Sequence, residues 1–312
     1  MESFVITLAI VCYNFEKYIG EALDGAFMQT YSPLEILISD DCSTDRTWEI
    51  VQAKVAAYLG PHRITLNRNL ANLGLARHEN KIFELAQSDW IVFQSGDDVS
   101  VPNRVERLAR AIADHPMARC LHSRCEMIAA DGAPLQIPEV FKKRSRQKPE
   151  PFRSPSILGA GAVYHRDVYR VFGSLGSFVA NEDHVLPLRA QLLGEIVFID
   201  EPLVRYRKHD ANLSGNFSLD KDKAAHYRKR LIFSLQQALM DLQLLENRFP
   251  ERFSEIQSYR SRVEDERYVA WFLGNWQLFP QHRRYLLRTL VGSPQHVLLF
   301  VRRFVYRLIR SG

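Results

Sequence analysis

Two acidic clusters carry the densest chemistry in the first hundred residues. Asp40-Asp41-Cys42-Ser43-Thr44-Asp45 follows an apolar run at residues 34–39, and Gly96-Asp97-Asp98 follows another at residues 90–94. Each reads as a buried strand that ends in carboxylates. Adjacent like charges at a strand end are costly unless something positive neutralises them. A divalent cation carrying a phosphorylated ligand is the simplest such partner. Further along, Asn181-Glu182-Asp183 opens a helical segment and offers a carboxylate for proton transfer. His209 follows Arg205-Tyr206-Arg207-Lys208. There a neutral imidazole could ligate a metal, and the cations could pair with phosphate.

Such chemistry needs a scaffold that ends several strands at one edge. Short β-rich runs occupy residues 4–12, 34–39, 63–67 and 90–94, with helical periodicity between them. Ile19, Leu23, Ala26 and Phe27 form one apolar stripe. Trp48, Val51, Val55 and Leu59 form a second, with Ser43 placed to cap it, and Leu75, Ile82, Leu85 and Ala86 mark a third. A fourth helix is expected to begin at Ser100-Val101-Pro102 and to bury Val105, Leu108 and Ile112. Alternating β and α segments with nearly all-apolar strands predict an α/β fold, a mostly parallel sheet covered by helices on both faces. Ligands bind such sheets at the carboxyl ends of the strands, where both acidic clusters fall.

Residues 117–130 read as a further strand, and residues 142–155 as a basic loop. Residues 158–164 read as a strand whose small residues let something approach its backbone, residues 181–193 as a helix, and residues 195–199 and 203–207 as two short strands. His78 is expected in an exposed helical turn with no special role. From about residue 219 the chain turns to long, charge-rich, helix-favouring segments. The expected division is an α/β domain over 1–215 and a C-terminal helical region over 216–312.

Composition narrows the classes. The 312 residues suffice for one large domain, or for one domain with an appendage. Apolar residues make up 46% and charged residues 25%, as in ordinary soluble globular proteins. A net charge of +5 does not call for nucleic acid, and none is expected as a partner. Cys12, Cys42, Cys120 and Cys125 do not resemble a disulfide framework. Cys120 and Cys125 flank His122 but fit no common zinc spacing, so buried thiols in a reducing cytoplasm are expected. The first residues lack the basic region and cleavage site of a leader, and no stretch reaches about 18 uncharged apolar residues.

Read in order, the motifs resemble those of family 2 glycosyltransferases of the GT-A fold. Ala9-Ile-Val-Cys-Tyr-Asn14 resembles the family's opening nucleotide-binding strand, and Asp40-Asp41-Cys-Ser-Thr-Asp-Arg-Thr47 its "DD-x-S-x-D-x-T" segment. Asn72-Leu-Gly-Leu-Ala-Arg-His-Glu-Asn80 resembles the "N-x-G…R/N" segment, and Ser95-Gly-Asp-Asp98 stands where the family has its D-x-D metal motif. Gly159-Ala-Gly-Ala-Val-Tyr-His-Arg166, Asn181-Glu-Asp183 and Val204-Arg-Tyr-Arg-Lys-His209 resemble the acceptor-side strand, the "ED" motif and the closing "Y-R-x-H". Together these motifs span roughly residues 4–215.

The resemblance implies an inverting, metal-dependent transferase. It would move a sugar from a nucleoside-diphosphate sugar, a UDP-sugar above all, to a glycan or lipid-linked acceptor in cell-surface polysaccharide synthesis. Tyr13 would stack on the base beside Asn14, and Asp40 or Asp41 would accept from a base N–H or a ribose hydroxyl. Arg77 is a weaker donor contact. Asp98 would hold Mg²⁺ or Mn²⁺, Asp97 would contact sugar or ribose, and His209 would complete the metal shell. Asp183 is the general base at a helix start, where the helix dipole favours negative charge. Glu182 and Gly161 fall on the acceptor side. The family often has another acid two residues before the final pair, and Gln94-Ser95-Gly96-Asp97-Asp98 lacks it.

Two other readings compete. A nucleotidyltransferase would carry a Gly-rich phosphate loop where Tyr13-Asn14-Phe15-Glu16 stands. A non-catalytic nucleotide-sugar binding protein is favoured only by the missing acid at Gln94. Near the C-terminus, Val297, Phe300, Val301, Phe304, Val305 and Leu308 fall largely on one side of a helical wheel, away from Arg302, Arg303, Arg307 and Arg310. Residues 294–312 therefore suit contact with an anionic membrane surface, packing against a neighbouring element being the alternative. Trp271, Trp276 and Phe279 would join that surface or a helical mini-core. Oligomeric state has no signature in the chain.

Overall fold

The computed structural model describes residues 4–136, 157, 159–177, 179, 182–210, 212 and 221–274. The expectations for the basic segment 142–155, for Asn181, for Trp276 and Phe279, and for residues 294–312 lie outside them.

Four parallel strands form the first half of the sheet: β1 (Ile6–Cys12), β2 (Leu34–Asp40), β3 (Arg63–Arg68) and β4 (Trp90–Ser95), in the order β3-β2-β1-β4. Helices α1 (Ile19–Phe27), α2 (Thr47–Ala56) and α3 (Leu75–Leu85) connect them. The strand residues alternate between two cores, as a sheet covered on both faces requires. Ile6, Leu8, Ile10, Ile36, Ile38 and Val92 pack into one core, and Ala9, Leu37, Ile91 and Phe93 into the other.

Beyond β4 the pairing changes. A two-residue strand β5 (Val99–Ser100) precedes α4 (Arg104–Asp114) and β6 (Ala118–Ile128), and β7 (Pro134–Leu135) pairs with β6. A 3₁₀ turn at Gly159–Gly161 leads into β8 (Ala162–His165), α5 (Asp167–Arg170), α6 (Glu182–Leu193) and β9 (Glu195–Arg207). The full order is β3-β2-β1-β4-β8-β6-β9-β5. β8 runs antiparallel to both neighbours, pairing Trp90 with His165 and Val92 with Val163. Its first residues therefore lie at the edge where β1, β2 and β4 end.

Several expectations are corrected by tertiary pairing. The fourth helix starts at Arg104, because the backbone at Val99 and Ser100 is taken by the ladder to Arg205 and Val204. The two short strands at 195–199 and 203–207 are one strand, bent by register shifts opposite Ser123 and Arg124. Residues 159–161 form a turn, not a strand. A Cβ on Gly161 would lie 2.9 Å from the Ser123 carbonyl oxygen, so its small size admits the protein's own β6. Leu59 lies past α2 and is fully exposed, whereas Val51 is buried. Ser43 caps nothing: its hydroxyl bonds to Asp40, and Asp45 Oδ1 accepts the Thr47 N–H at 2.9 Å instead. His78 is buried, with 2% of its surface exposed.

The long α7 (Lys221–Arg248) and α8 (Phe253–Gly274) pack on α6. Leu188 and Leu192 of α6 share a core with Leu235, Leu242, Leu245, Ile256 and Val263. Inside this seam Arg189 makes two bonds to Asp241, at 2.7 and 2.9 Å, and donates to the Gly173 carbonyl at 2.7 Å. Both side chains are buried. Removing one partner of such a pair strands a charge, whereas replacing both with apolar groups often does not destabilise. Asp241→Ala is expected to lower the unfolding free energy by about 3–5 kcal/mol in urea denaturation, and Arg189→Met with Asp241→Leu to recover most of it.

Candidate active site

The ends of β1 and β2 are clamped to each other. Asp41 N donates to Cys12 O at 2.9 Å, and Gly96 N donates to Val11 O at 2.8 Å, so the three loops after β1, β2 and β4 begin side by side. The loop after β1 is then cross-braced to the acidic loop after β2. Asn14 Oδ1 accepts the Thr44 N–H at 2.8 Å, Asn14 N donates to Ser43 Oγ at 2.9 Å, and Phe15 N donates to Thr47 Oγ1 at 2.7 Å. Asn14 and Cys42 have φ of 56° and 61°. Asn tolerates that left-handed region and Cys seldom enters it. These braces leave Tyr13 outward, with 40% of its surface exposed at the sheet edge.

Asp40 and Asp41 divide their work. Asp40 accepts from Ser43 N at 2.9 Å and pairs with Arg68 Nε at 3.3 Å, which closes the loop on itself. Asp41 Oδ1 accepts from Asn69 Nδ2 at 2.8 Å and Leu73 N at 2.9 Å, and Oδ2 accepts from Gly74 N at 3.0 Å. It thereby anchors the 69–74 loop that starts α3. Arg77, exposed on the next turn, donates to Leu73 O at 2.8 Å. His78 lies beneath, with Nε2 2.7 Å from Ser39 Oγ and Nδ1 4.0 Å from Asp41. Burial lowers its pKa despite Asp41 and Asp40, so the imidazole is neutral near pH 7. Ser39 is fully buried and also accepts from Asn67 Nδ2 at 2.8 Å, so this Ser-His-Asp set is a strut, not a nucleophile.

The Gly96-Asp97-Asp98 turn is held from three sides. Asp98 is 1% exposed and its Oδ1 accepts the Arg207 backbone N–H at 2.9 Å. Burial, and then the charge of Asp97, push its carboxyl well above the usual carboxylate range. Gln94 is equally buried: its Nε2 donates to Asp98 O at 3.1 Å and Ala22 O at 3.3 Å, and its Oε1 accepts from Ser100 Oγ. Gln94 braces the turn from below. The fully buried Arg207 guanidinium donates to Asp97 O at 2.9 Å and Ala130 O at 3.1 Å and reaches Glu21 at 2.5 Å.

His209 adjoins Asp97 and not Asp98. Its Nε2 lies 2.9 Å from Asp97 Oδ2, and Asn212 Nδ2 donates to the same oxygen at 3.2 Å. Tyr18 stacks on the imidazole at 4.7 Å between ring centroids, and the Arg207 guanidinium stands 5.1 Å over the Tyr18 ring. One carboxylate oxygen and one imidazole nitrogen therefore face each other. Among the described residues no group of three or more His, Cys, Asp or Glu side chains gathers to hold an ion. Two protein donors fit a cation such as Mg²⁺, which takes most of its ligands from substrate phosphates and water.

Glu182 and Asp183 sit in the first turn of α6, half-buried, beside the turn into β8. A Cβ on Gly159 would lie 3.7 Å from Glu182 Oε1 and 3.8 Å from Asp183 Cβ. The sequence offered Arg207 as a phosphate partner, but its guanidinium is fully buried and taken up by the Asp97 and Ala130 carbonyls and Glu21. Sequence reasoning missed Tyr18 against His209, Asn69 on Asp41, and the buried Arg104, which donates to Phe93 O at 3.0 Å and Ala160 O at 3.2 Å. It also missed Glu79. A carboxylate at helical spacing from Ala76, Ile82 and Phe83, all buried, is a signal that was present in the chain.

Comparison with known proteins agrees with this architecture. The sequence model of the family described as Glycosyl transferase family 2 matches residues 7–173. An uncharacterised protein of Mycobacterium tuberculosis is 25% identical over 300 residues, covering 94% of this chain and 82% of its own length. Among solved structures, S. aureus TarS bound to UDP-GlcNAc superposes with a TM-score of 0.58 at 18% identity, covering 80% of this chain and 72% of TarS. The mannosyltransferase PcManGT of Pyrobaculum calidifontis, in complex with GDP-Man and Mn²⁺, gives a TM-score of 0.57 at 17% identity, with 98% of this chain and 81% of that one covered. The fold is GT-A, and the chain belongs to glycosyl transferase family 2.

Proposed function

We propose that the protein transfers a sugar with inversion from a nucleoside-diphosphate sugar, a UDP-sugar in the first instance, to a glycan or lipid-linked acceptor in cell-surface polysaccharide synthesis. The residues that would carry the chemistry lie within 1–215, and the helix bearing Glu182 and Asp183 shares its core with the helical region over 216–312. The observation that carries this reading is the facing pair Asp97 and His209 at the edge where the parallel strands end. Nucleotide sugars in the TarS and PcManGT structures support the donor class.

In this reading Tyr13 offers its exposed face to the base. Asn14 and Asp40 hold the two loops around it, and Asp41 Oδ2, engaged by one backbone N–H, keeps capacity for a nucleoside N–H or hydroxyl. Arg77 is positioned by Leu73 O near the same loop. Asp97 and His209 would hold Mn²⁺ or Mg²⁺, since the imidazole faces the Asp97 carboxylate, while Asp98 fixes the turn to β9. The chemistry a bound divalent cation would supply is neutralisation of the leaving nucleoside diphosphate. Asp183 would take the proton of the acceptor hydroxyl as its oxygen attacks the anomeric carbon, with Glu182 and Gly161 lining the acceptor side. Residues 294–312 would bring the enzyme to the inner face of the cell membrane.

Calorimetric titration with UDP, and with GDP as the comparison, should show affinity that rises when Mn²⁺ is added. Asp97→Ala should remove at least ten-fold of that Mn²⁺-dependent gain. An unchanged gain would take the ion away from Asp97. Asp183→Asn should bind the same nucleotide as tightly and lose about 10²–10⁴-fold in sugar transfer, the usual worth of a general base. Turnover within three-fold of wild type would put the base elsewhere. Deletion of 294–312 should abolish co-sedimentation with phosphatidylglycerol vesicles. Equal sedimentation of both forms would sink the membrane assignment.

A further inference from the structure

The buried His78 beneath Asp41 belongs to a ring of side chains whose proton directions can be read in turn. Asp41 Oδ1 accepts from Asn69 Nδ2 at 2.8 Å. A carboxylate only accepts, so the Asn69 amide must turn its nitrogen to Asp41 and its oxygen away. That oxygen takes a hydrogen from Asn67 Nδ2 at 3.0 Å, and the same nitrogen gives its second hydrogen to Ser39 Oγ at 2.8 Å. Asn67 and Ser39 are register partners on β3 and β2, which holds this contact in place. Ser39 is fully buried, so its own O–H needs an acceptor. Among the described residues the acceptor within reach is His78 Nε2, at 2.7 Å. With Nε2 accepting, the imidazole carries its proton on Nδ1. Nδ1 faces Asp41 Oδ2 at 4.0 Å, where the ring closes. The opposite tautomer would strand the Ser39 proton and set a nitrogen lone pair against a carboxylate.

We propose that His78, held by Ser39 as the tautomer protonated on Nδ1, is a positioning residue for nucleoside recognition by Asp41. The proposal rests on the reading of Asp41 as a nucleoside contact. Asp41 Oδ1 takes Asn69 Nδ2 and Leu73 N, whereas Oδ2 takes one backbone donor, Gly74 N at 3.0 Å. At 4.0 Å the His78 N–H is too far from Oδ2 for a hydrogen bond. Its dipole still favours negative charge on that oxygen, in a site where Asp41 and His78 are both buried. The remaining acceptor direction of Oδ2 is thereby left to a base N–H or a ribose hydroxyl. The ring also ties β2, β3 and α3 to one orientation of the carboxylate. His78 acts through Asp41 and touches neither nucleotide nor reacting atoms, and no proton moves along the ring during transfer.

The tautomer is read directly by nitrogen NMR of the histidine rings in the full-length protein, the His78 signals being those lost in His78→Asn. A protonated Nδ1 and an unprotonated Nε2 near pH 7 are expected. The reverse pattern, or protons on both nitrogens, overturns the proposal. Two amide variants then test its use. Asn sets an amide N–H near the place of Nδ1, facing Asp41, whereas Gln sets one near the place of Nε2, facing Ser39. In calorimetric titration with UDP and with GDP, Mn²⁺ present, His78→Asn should bind the preferred nucleotide within about three-fold of wild type, and His78→Gln about five-fold or more weaker. In transfer assays His78→Gln should raise donor KM by a similar factor and keep kcat within about two-fold, the mark of a binding contact away from the reacting atoms. Equal affinities in the two variants, as a packing role alone would give, overturn the proposal. Asp41→Ala separates it from the reading beneath it. Wild-type nucleotide affinity in Asp41→Ala would remove Asp41 from the nucleoside. A loss there, beside equal affinities in His78→Asn and His78→Gln, condemns the His78 proposal alone.

Discussion

The site depends on one fully buried guanidinium, that of Arg207. A charge without water is tolerated only when its donors are satisfied. Arg207 meets that demand with the carbonyls of Asp97, Ala129 and Ala130 and the carboxylate of Glu21. Those four groups come from the turn after β4, the segment after β6, and α1. Its backbone N–H adds Asp98, and its face covers Tyr18, which in turn stacks on His209. Satisfying one cation thus fixes the height of the acidic turn, the end of β9 and the plane of the imidazole together.

The parallel half of the sheet was legible because its signal is local. Ile6, Leu8 and Ile10 face one core and Ala9 the other, and β2 and β4 run into the Asp40-Asp41 and Asp97-Asp98 pairs. Beyond β4 the deciding interactions are distant in sequence. Val99-Ser100 becomes a strand only because β9 lies beside it, and β9 is continuous only because β6 supplies partners along its length. The glycines at 159–161 suggested an approach to the backbone, but not that β6 makes it. His78 looked exposed because it is polar, and the buried Ser39 that receives it is an unremarkable serine within an apolar run.

The site was legible in its chemistry and less so in its supports. Motif order pointed to the groups at the strand edge, since carboxylates and an imidazole have few reasons to recur there. It could not divide labour within a pair. Asp97 and Asp98 are adjacent, yet one faces His209 and the other the sheet backbone, and only the path of β9 decides which. The neutral Gln94, a deficit in the sequence, is an amide donor and acceptor under the turn, using three contacts that a carboxylate could not make in full.

The helix that carries Glu182 and Asp183 has two obligations. Its Val185 and Leu186 belong to the core against the sheet, and its Leu188 and Leu192 belong to the core shared with α7 and α8. Arg189, between them, is bolted to Asp241 on one side and to the Gly173 carbonyl on the other. The boundary between sheet and helical pair is therefore a shared wall and not a hinge. A chain cut short at residue 215 would lose more than an appendage. It would uncover the apolar back of the helix bearing the acids and leave its arginine facing solvent or emptiness.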